Sequence, residues 1–83
     1  MPRYYFHLRD GDQLREDFEG EDLADLAAVE ETAMAAAKEI IAEGLLAGQP
    51  VLTNYSFEVC DEQRNTILRF PFVDAANKSG SRP

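Results

Sequence analysis

The stretch DLAAVEETAMAAAKEIIAEGLLA, residues Asp25 to Ala47, decides the fold. Leu26, Val29, Ala33, Ala37, Ile40, Ile41 and Gly44 recur at steps of three and four, which places them on one side of a helix with Ala36 and Ala47 at its edge. Glu31, Thr32, Ala35, Lys38, Glu39, Ala42 and Glu43 take the far side. Alanine, the residue that costs least to hold helical, dominates the segment. Asp25 is the expected N-cap, with Asp22 the competing start. Glu30 and Glu31 lie near the positive end of the helix dipole. Gly48 is placed to end the helix in the left-handed conformation, and Pro50 prevents its continuation. Because Ala33, Ala37 and Gly44 carry almost no side chain, this face suits close packing on a sheet; pairing with a helix of another chain is the alternative. Met34, Leu45 and Leu46 fall off the stripe and are expected to cover the flank of the core or to stay partly exposed.

Outward from the helix the periodicity changes from 3.6 to 2. From Arg3 to Arg9 the residues Tyr4, Phe6 and Leu8 alternate with Arg3, Tyr5, His7 and Arg9, the pattern of a strand with two unlike faces. Asp10-Gly11-Asp12 suits a tight turn. Gln13 to Phe18 returns as a second, short and acidic strand marked by Leu14 and Phe18. Glu19-Gly20-Glu21 leads into the helix. Beyond it, Gln49 to Asn54 is a connection. A third strand, Tyr55 to Cys60, alternates Tyr55, Phe57 and Val59 against Ser56, Glu58 and Cys60. Asp61 to Asn65 has the length of a hairpin loop. In a fourth strand, Thr66 to Val73, the residues Leu68, Phe70 and Phe72 oppose Ile67, Arg69, Pro71 and Val73.

These elements predict an α+β fold of order β-β-α-β-β. The sheet is four-stranded and antiparallel, in the order second, first, third, fourth, with one long helix on one face. Pro71 cannot donate to a ladder, so the fourth strand belongs at an edge or carries a bulge. The expected core is Tyr4, Phe6, Leu8, Leu14, Phe57, Val59, Leu68 and Phe70 under the helix stripe. Residues 1–73 form the single domain and 74–83 a flexible tail. One helix covers one face only. The opposite face, with Arg3, Tyr5, His7, Arg9, Ser56, Glu58, Cys60, Ile67, Arg69 and Val73, is left to solvent or to a second subunit.

Composition narrows the function. An 83-residue chain with 45% hydrophobic residues can fold, although a domain of this size buries only about two-thirds of its unfolded surface. No apolar run has the length of a membrane span. The opening residues lack the apolar stretch of an export signal, so a cytoplasmic location is expected. Cys60, the only cysteine, cannot form an intrachain disulfide, which suits a reducing compartment. The net charge of −8 opposes binding to phosphate backbones and anionic membranes, so neither nucleic acid nor membrane is an expected partner.

Few residues point to chemistry. Arg3, Tyr5, His7 and Arg9 share one strand face, with Glu58 and Arg69 expected nearby. That surface could take an anionic ligand or an acidic segment of a partner, or stand solvated with cross-strand pairs such as arginine to Glu58. As a catalytic centre it lacks a second histidine, a serine in a nucleophile setting and a visible carboxylate to orient His7. Cys60 with His7 is the one nucleophile pair available, against the ordinary reading of Cys60 as a small buried strand residue. The acidic run Asp10, Asp12, Glu16, Asp17, Glu19, Glu21 and Asp22 fails the calcium-loop pattern, since Leu14 and Arg15 occupy positions that need an oxygen ligand and glycine. Neither metal, cofactor nor enzymatic activity is therefore expected.

The opening Pro2-Arg3-Tyr4-Tyr5-Phe6-His7-Leu8-Arg9-Asp10-Gly11-Asp12 resembles the start of a small bacterial family known only as a domain of unknown function. The likeness continues through Asp17, Gly20 and Leu23-Ala24-Asp25, and returns at Phe57-Glu58-Val59-Cys60-Asp61-Glu62 and Leu68-Arg69-Phe70-Pro71-Phe72. It implies a short cytosolic protein and supplies no catalytic residue. The order strand, Asp-Gly turn, strand, helix, strand is also similar to the N-terminal domain of HicB-type antitoxins, although no DNA-binding segment follows here. The expected role is thus a non-catalytic interaction or regulatory domain, with a protein partner or a second copy as its ligand. The alternatives are an antitoxin-like inhibitor of a basic protein and a small anionic-ligand site on the open face.

Overall fold

In the computed structural model, which describes residues 1–46, 48 and 54–75, Asp25 caps the helix. Its Oδ1 accepts the N–H of Ala28 at 2.9 Å and its carbonyl accepts that of Val29 at 3.1 Å. The helix α1 runs Leu26–Leu46, and Gly48 beyond it carries the positive φ expected there, 75°. The first turn holds no acidic residue: Glu30 and Glu31 fall one turn too late to meet the dipole directly.

The strands are β1 (Arg3–Asp10), β2 (Gln13–Arg15), β3 (Glu21–Asp22), β4 (Tyr55–Cys60) and β5 (Thr66–Pro71). All pairings are antiparallel, in the order β2-β1-β4-β5, with β3 also on β1. The expected four-stranded sheet is thus corrected to five strands. The returning arm breaks in two: β2 pairs with Leu8–Asp10, β3 pairs with Arg3 and Tyr4, and residues 16–20 loop out opposite Tyr5–His7. As Pro71 requires, β5 is an edge.

The core lies between α1 and one sheet face. Val29, Ala33 and Ala37, one residue per turn, are fully covered; Phe57, Val59 and Phe70 oppose them from the sheet. Tyr4, Phe6, Leu8, Leu68, Met34, Ile40 and Ile41 pack around this centre. Phe57 meets Phe6 edge-on at 6.0 Å and Phe72 at 5.1 Å. Each such phenylalanine contributes about 1.5–3 kcal/mol by burial.

Three side chains depart from their expected faces. The two-residue turn at Gly11 and Asp12 sets Leu14 opposite Arg9, so Leu14 lies on the open face and not in the core. Ile67 leaves the open face because a bulge at Val59/Cys60 pairs Cys60 with Thr66 and Val59 with Leu68; Ile67 between them packs against the core. Leu26 stays half exposed where the helix begins. At the other end β5 gives way to one helical turn at 72–75, which turns Phe72 and Ala75 fully inward. Buried structure thus reaches two residues past the expected domain end at 73. The connection over 49–53 and the tail from 76 on lie outside the described residues.

Candidate functional site

The face away from α1 carries Arg3, Tyr5, His7, Arg9, Glu58 and Arg69. Strand pairing places Tyr5 beside Cys60, His7 beside Glu58 and Arg9 beside Ser56, and Glu58 in turn beside Arg69. His7, Glu58 and Arg69 therefore form one line across three strands. Arg9 reaches diagonally to the same carboxylate. Arg9 and Arg69 both donate to Oε2 of Glu58, at 2.5 and 2.9 Å. The side chain of Glu58 is 12% exposed, whereas that of Arg69 is 64% exposed. The hydrogen bond from Arg9 holds Glu58 below the usual glutamate pKa against the opposing effect of burial, and the charges of Arg9, Arg69 and His7 add to it. The same bond raises Arg9.

Arg3 is not part of this cluster. It sits at the other end of β1, where its guanidinium pairs with Asp22 at 3.2 Å and donates to the carbonyl of Glu19. Tyr5 and His7 lie between the two arginine clusters.

Residues 16–20 arch over that middle ground, and Asp17 fastens them. Its Oδ2 accepts the N–H of Phe6 at 3.0 Å, where a continuous second strand would offer a carbonyl. Its Oδ1 accepts the N–H groups of Glu19 and Gly20, at 3.1 and 3.2 Å. Its own N–H donates to Nδ1 of His7 at 3.0 Å. Burial pushes the Asp17 pKa up, but the three N–H donors, led by Phe6, and the nearby His7 outweigh it and leave the group below its ordinary value. Gly20 has φ +72°, and a Cβ there would stand 2.9 Å from Arg3 Cγ and from Tyr5 Cε2. Sequence reasoning placed Asp17 in the acidic run but not as the fastening of the arch, because a carboxylate replacing a strand carbonyl leaves no local spacing pattern. It also found no carboxylate near His7, whereas the fold brings one there.

Between this arch and the sheet lies a concavity of ≈ 530 Å³. Tyr5, His7, Glu58, Cys60 and Thr66 line it from the strands, with Leu14, Glu16, Asp17 and Phe18 on one side and Asp61, Glu62 and Arg64 on the other. Asp61 organises its wall. Its Oδ1 accepts the N–H groups of Gln63 and Asn65, both at 2.9 Å, while Arg64 between them takes φ 68°. The Asn65 N–H is the chief reason the Asp61 pKa is lowered. Cys60 is a free, buried thiol, 3.7 Å from the Thr66 hydroxyl.

This geometry disfavours an anionic ligand. Carboxylates outnumber cations around the concavity, and the guanidinium groups of Arg3, Arg9 and Arg69 are each engaged by a carboxylate. Among the described residues no three His, Cys, Asp or Glu side chains converge as metal ligands do. None of the described helices is long and apolar enough to cross a membrane.

Neither the curated proteins nor the solved structures contain a match to the chain, and no similarity to HicB-type antitoxins is shown. A family model does match, over residues 3–73, the span that runs from the start of β1 through β5 and into the helical turn after it. With nearly the whole described fold inside that match, the chain belongs to the family described as a domain of unknown function, DUF6894.

Proposed function

We propose that the protein is a non-catalytic interaction domain whose open sheet face binds a second copy of the chain. Phe18 carries this reading. It is 83% exposed in the arch 16–20, on the side that α1 leaves bare, and Leu14 beside the same concavity is 40% exposed. A protruding aromatic next to a concave, partly apolar surface is the kind of anchor around which interfaces concentrate their binding energy. Glu58 is paired with Arg9 and Arg69, and Arg3 with Asp22, so covering these groups strands no lone ion among them, while Glu16, Glu62 and Arg64 of the concavity are exposed. The slab measures 36 × 33 Å across and 17 Å through, so its face is wide enough for the roughly 800 Å² that each partner gives to a standard interface. A two-fold contact would present the same patch from both copies. The acidity and the single reduced cysteine suit a cytoplasmic setting.

Light scattering over a wide concentration range tests this. The expected result is a rise from the monomer mass of 9.3 kDa toward twice that value, lost in Phe18→Ser. A strict monomer at every concentration would sink self-association. If that monomer instead formed a complex with a small basic protein encoded beside it, the antitoxin-like reading would take its place.

A further inference from the structure

We infer that His7 is a proton-operated latch on the arch 16–20, closed when its imidazole is neutral and released when it is protonated. The inference rests on the reading of the open face as a binding surface, and it names how that surface would be regulated.

A neutral imidazole has one accepting nitrogen. Here that acceptor is Nδ1, aimed at the Asp17 N–H at 3.0 Å, which places the ring proton on Nε2. Protonation puts a second proton on Nδ1, and two N–H groups then face each other across a hydrogen-bond distance. The other ties of the arch, Asp17 to Phe6 and Arg3 to Glu19, hold no group that titrates near neutrality. The tie to the Asp17 N–H is the one of these that uses an imidazole.

The surroundings give the imidazolium no substitute that leaves the arch in place. Both oxygens of Asp17 already accept backbone N–H groups, those of Phe6, Glu19 and Gly20. A new bond from the ring to that carboxylate would compete with the bonds that shape the arch. Glu58, the cross-strand neighbour on β4, gives Oε2 to Arg9 of β1 and Arg69 of β5, and a ring that turned to its other oxygen would leave the Asp17 N–H without its acceptor. Asp61 is committed to its own loop. The remaining titratable or charged groups around the concavity are Tyr5, Glu16, Cys60, Glu62 and Arg64. Release would move Phe18 and uncover Tyr5, which lies against Gly20, so the proton would reshape the patch proposed to bind.

Proton–nitrogen NMR on the intact, dilute, monomeric chain tests the latch between about pH 8 and 5. The Asp17 amide resonance should move with the same midpoint as the His7 ring protons. Below that midpoint, hydrogen-exchange protection of the Phe6, Asp17 and Gly20 amides, corrected for the intrinsic pH dependence, should fall about tenfold or more, while Val59 and Phe70 stay protected. In His7→Phe the arch should exchange fast at both ends of the range. Wild-type protection of Asp17 that persists unchanged through the ring titration would overturn the proposal, whatever the variant does. Because this readout needs no partner, a latch that works in a chain that never self-associates would discredit the interaction reading alone.

Discussion

Asp17 and His7 are tied in one direction and Asp17 and Phe6 in the other: the Asp17 N–H donates to Nδ1 of His7 while its carboxylate accepts the N–H of Phe6, one residue back along β1. A single residue thereby closes a gap of five residues in the edge of the sheet. Removing its carboxylate leaves the Phe6 N–H, in a half-buried strand, without a partner. Asp17→Ala should therefore cost about 1–3 kcal/mol, read as a lowered urea midpoint at unchanged slope. Asp17→Asn keeps one accepting oxygen where the carboxylate offers two, so its midpoint should fall between those of wild type and alanine.

The pH dependence in the acid range follows from two carboxylates outside the arch. Glu58 and Asp61 each have a folded pKa below the ordinary value. Across the acid range the unfolded chain then binds more protons than the folded one, so stability rises with pH there. The contribution of these groups is fully present above their unfolded values, about 4, and is lost as pH falls through the lower folded values. Thermal melts from neutral to about pH 3 should show this decline, and Glu58→Gln should flatten it. A melting temperature that climbs on acidification would contradict the paired geometry.

At Gly20 two demands coincide. The backbone stands at φ +72°, and the space above Cα is filled by Arg3 and Tyr5. Gly11 has a similar φ, +60°, with open space around it. Gly11→Ala should thus cost only the left-handed penalty, about 1 kcal/mol, whereas Gly20→Ala adds a steric clash and should cost more. Arg3 can swing aside, but the ring of Tyr5 lies in the sheet face and has less room. Comparison of the two urea midpoints checks the order.

The helix was legible because its stripe persists over five turns, and Asp25, Gly48 and Pro71 were legible because each answers a local backbone need. The phase of Leu14 is legible in the turn: two residues between Asp10 and Gln13 force Leu14 opposite Arg9, on the open face, whereas apolar character alone points it to the core. Ile67 departs from its expected face for a different reason. A one-residue bulge flips every side chain on one side of it, and nothing in Thr66-Ile67-Leu68 announces the insertion. β3 is two residues long, too short to show a period. The strand period puts Tyr5, His7, Arg9, Glu58 and Arg69 on one face, where strand pairing also sets them. It could not show that Arg3 stands apart, or that Asp17 reaches back across ten residues to His7.

The ion pairs on Glu58 should be unequal. Arg9 and Arg69 share Oε2, but Arg69 is nearly twice as exposed and its bond is more open to water and salt. Double-mutant cycles should give a larger coupling for Arg9 with Glu58 than for Arg69 with Glu58, and added salt should weaken the second more. Equal couplings would mean that solvent screening does not distinguish the two guanidinium groups.

Ala37 tests whether the helix is fitted to the sheet or merely rests on it. It is fully covered at the centre of the stripe, whereas Ala35, half a turn away, is exposed. Leucine is nearly as good a helix former as alanine, so propensity cancels in a comparison of the two sites. Ala37→Leu must push α1 off Phe57, Val59 or their neighbours and should cost about 1–3 kcal/mol, while Ala35→Leu should change the urea midpoint little. If α1 were loosely packed, the new side chain would find room and add burial. Ala37→Leu would then match or exceed the wild-type midpoint, and the small residues of the stripe would lose their explanation as the surface on which the sheet closes.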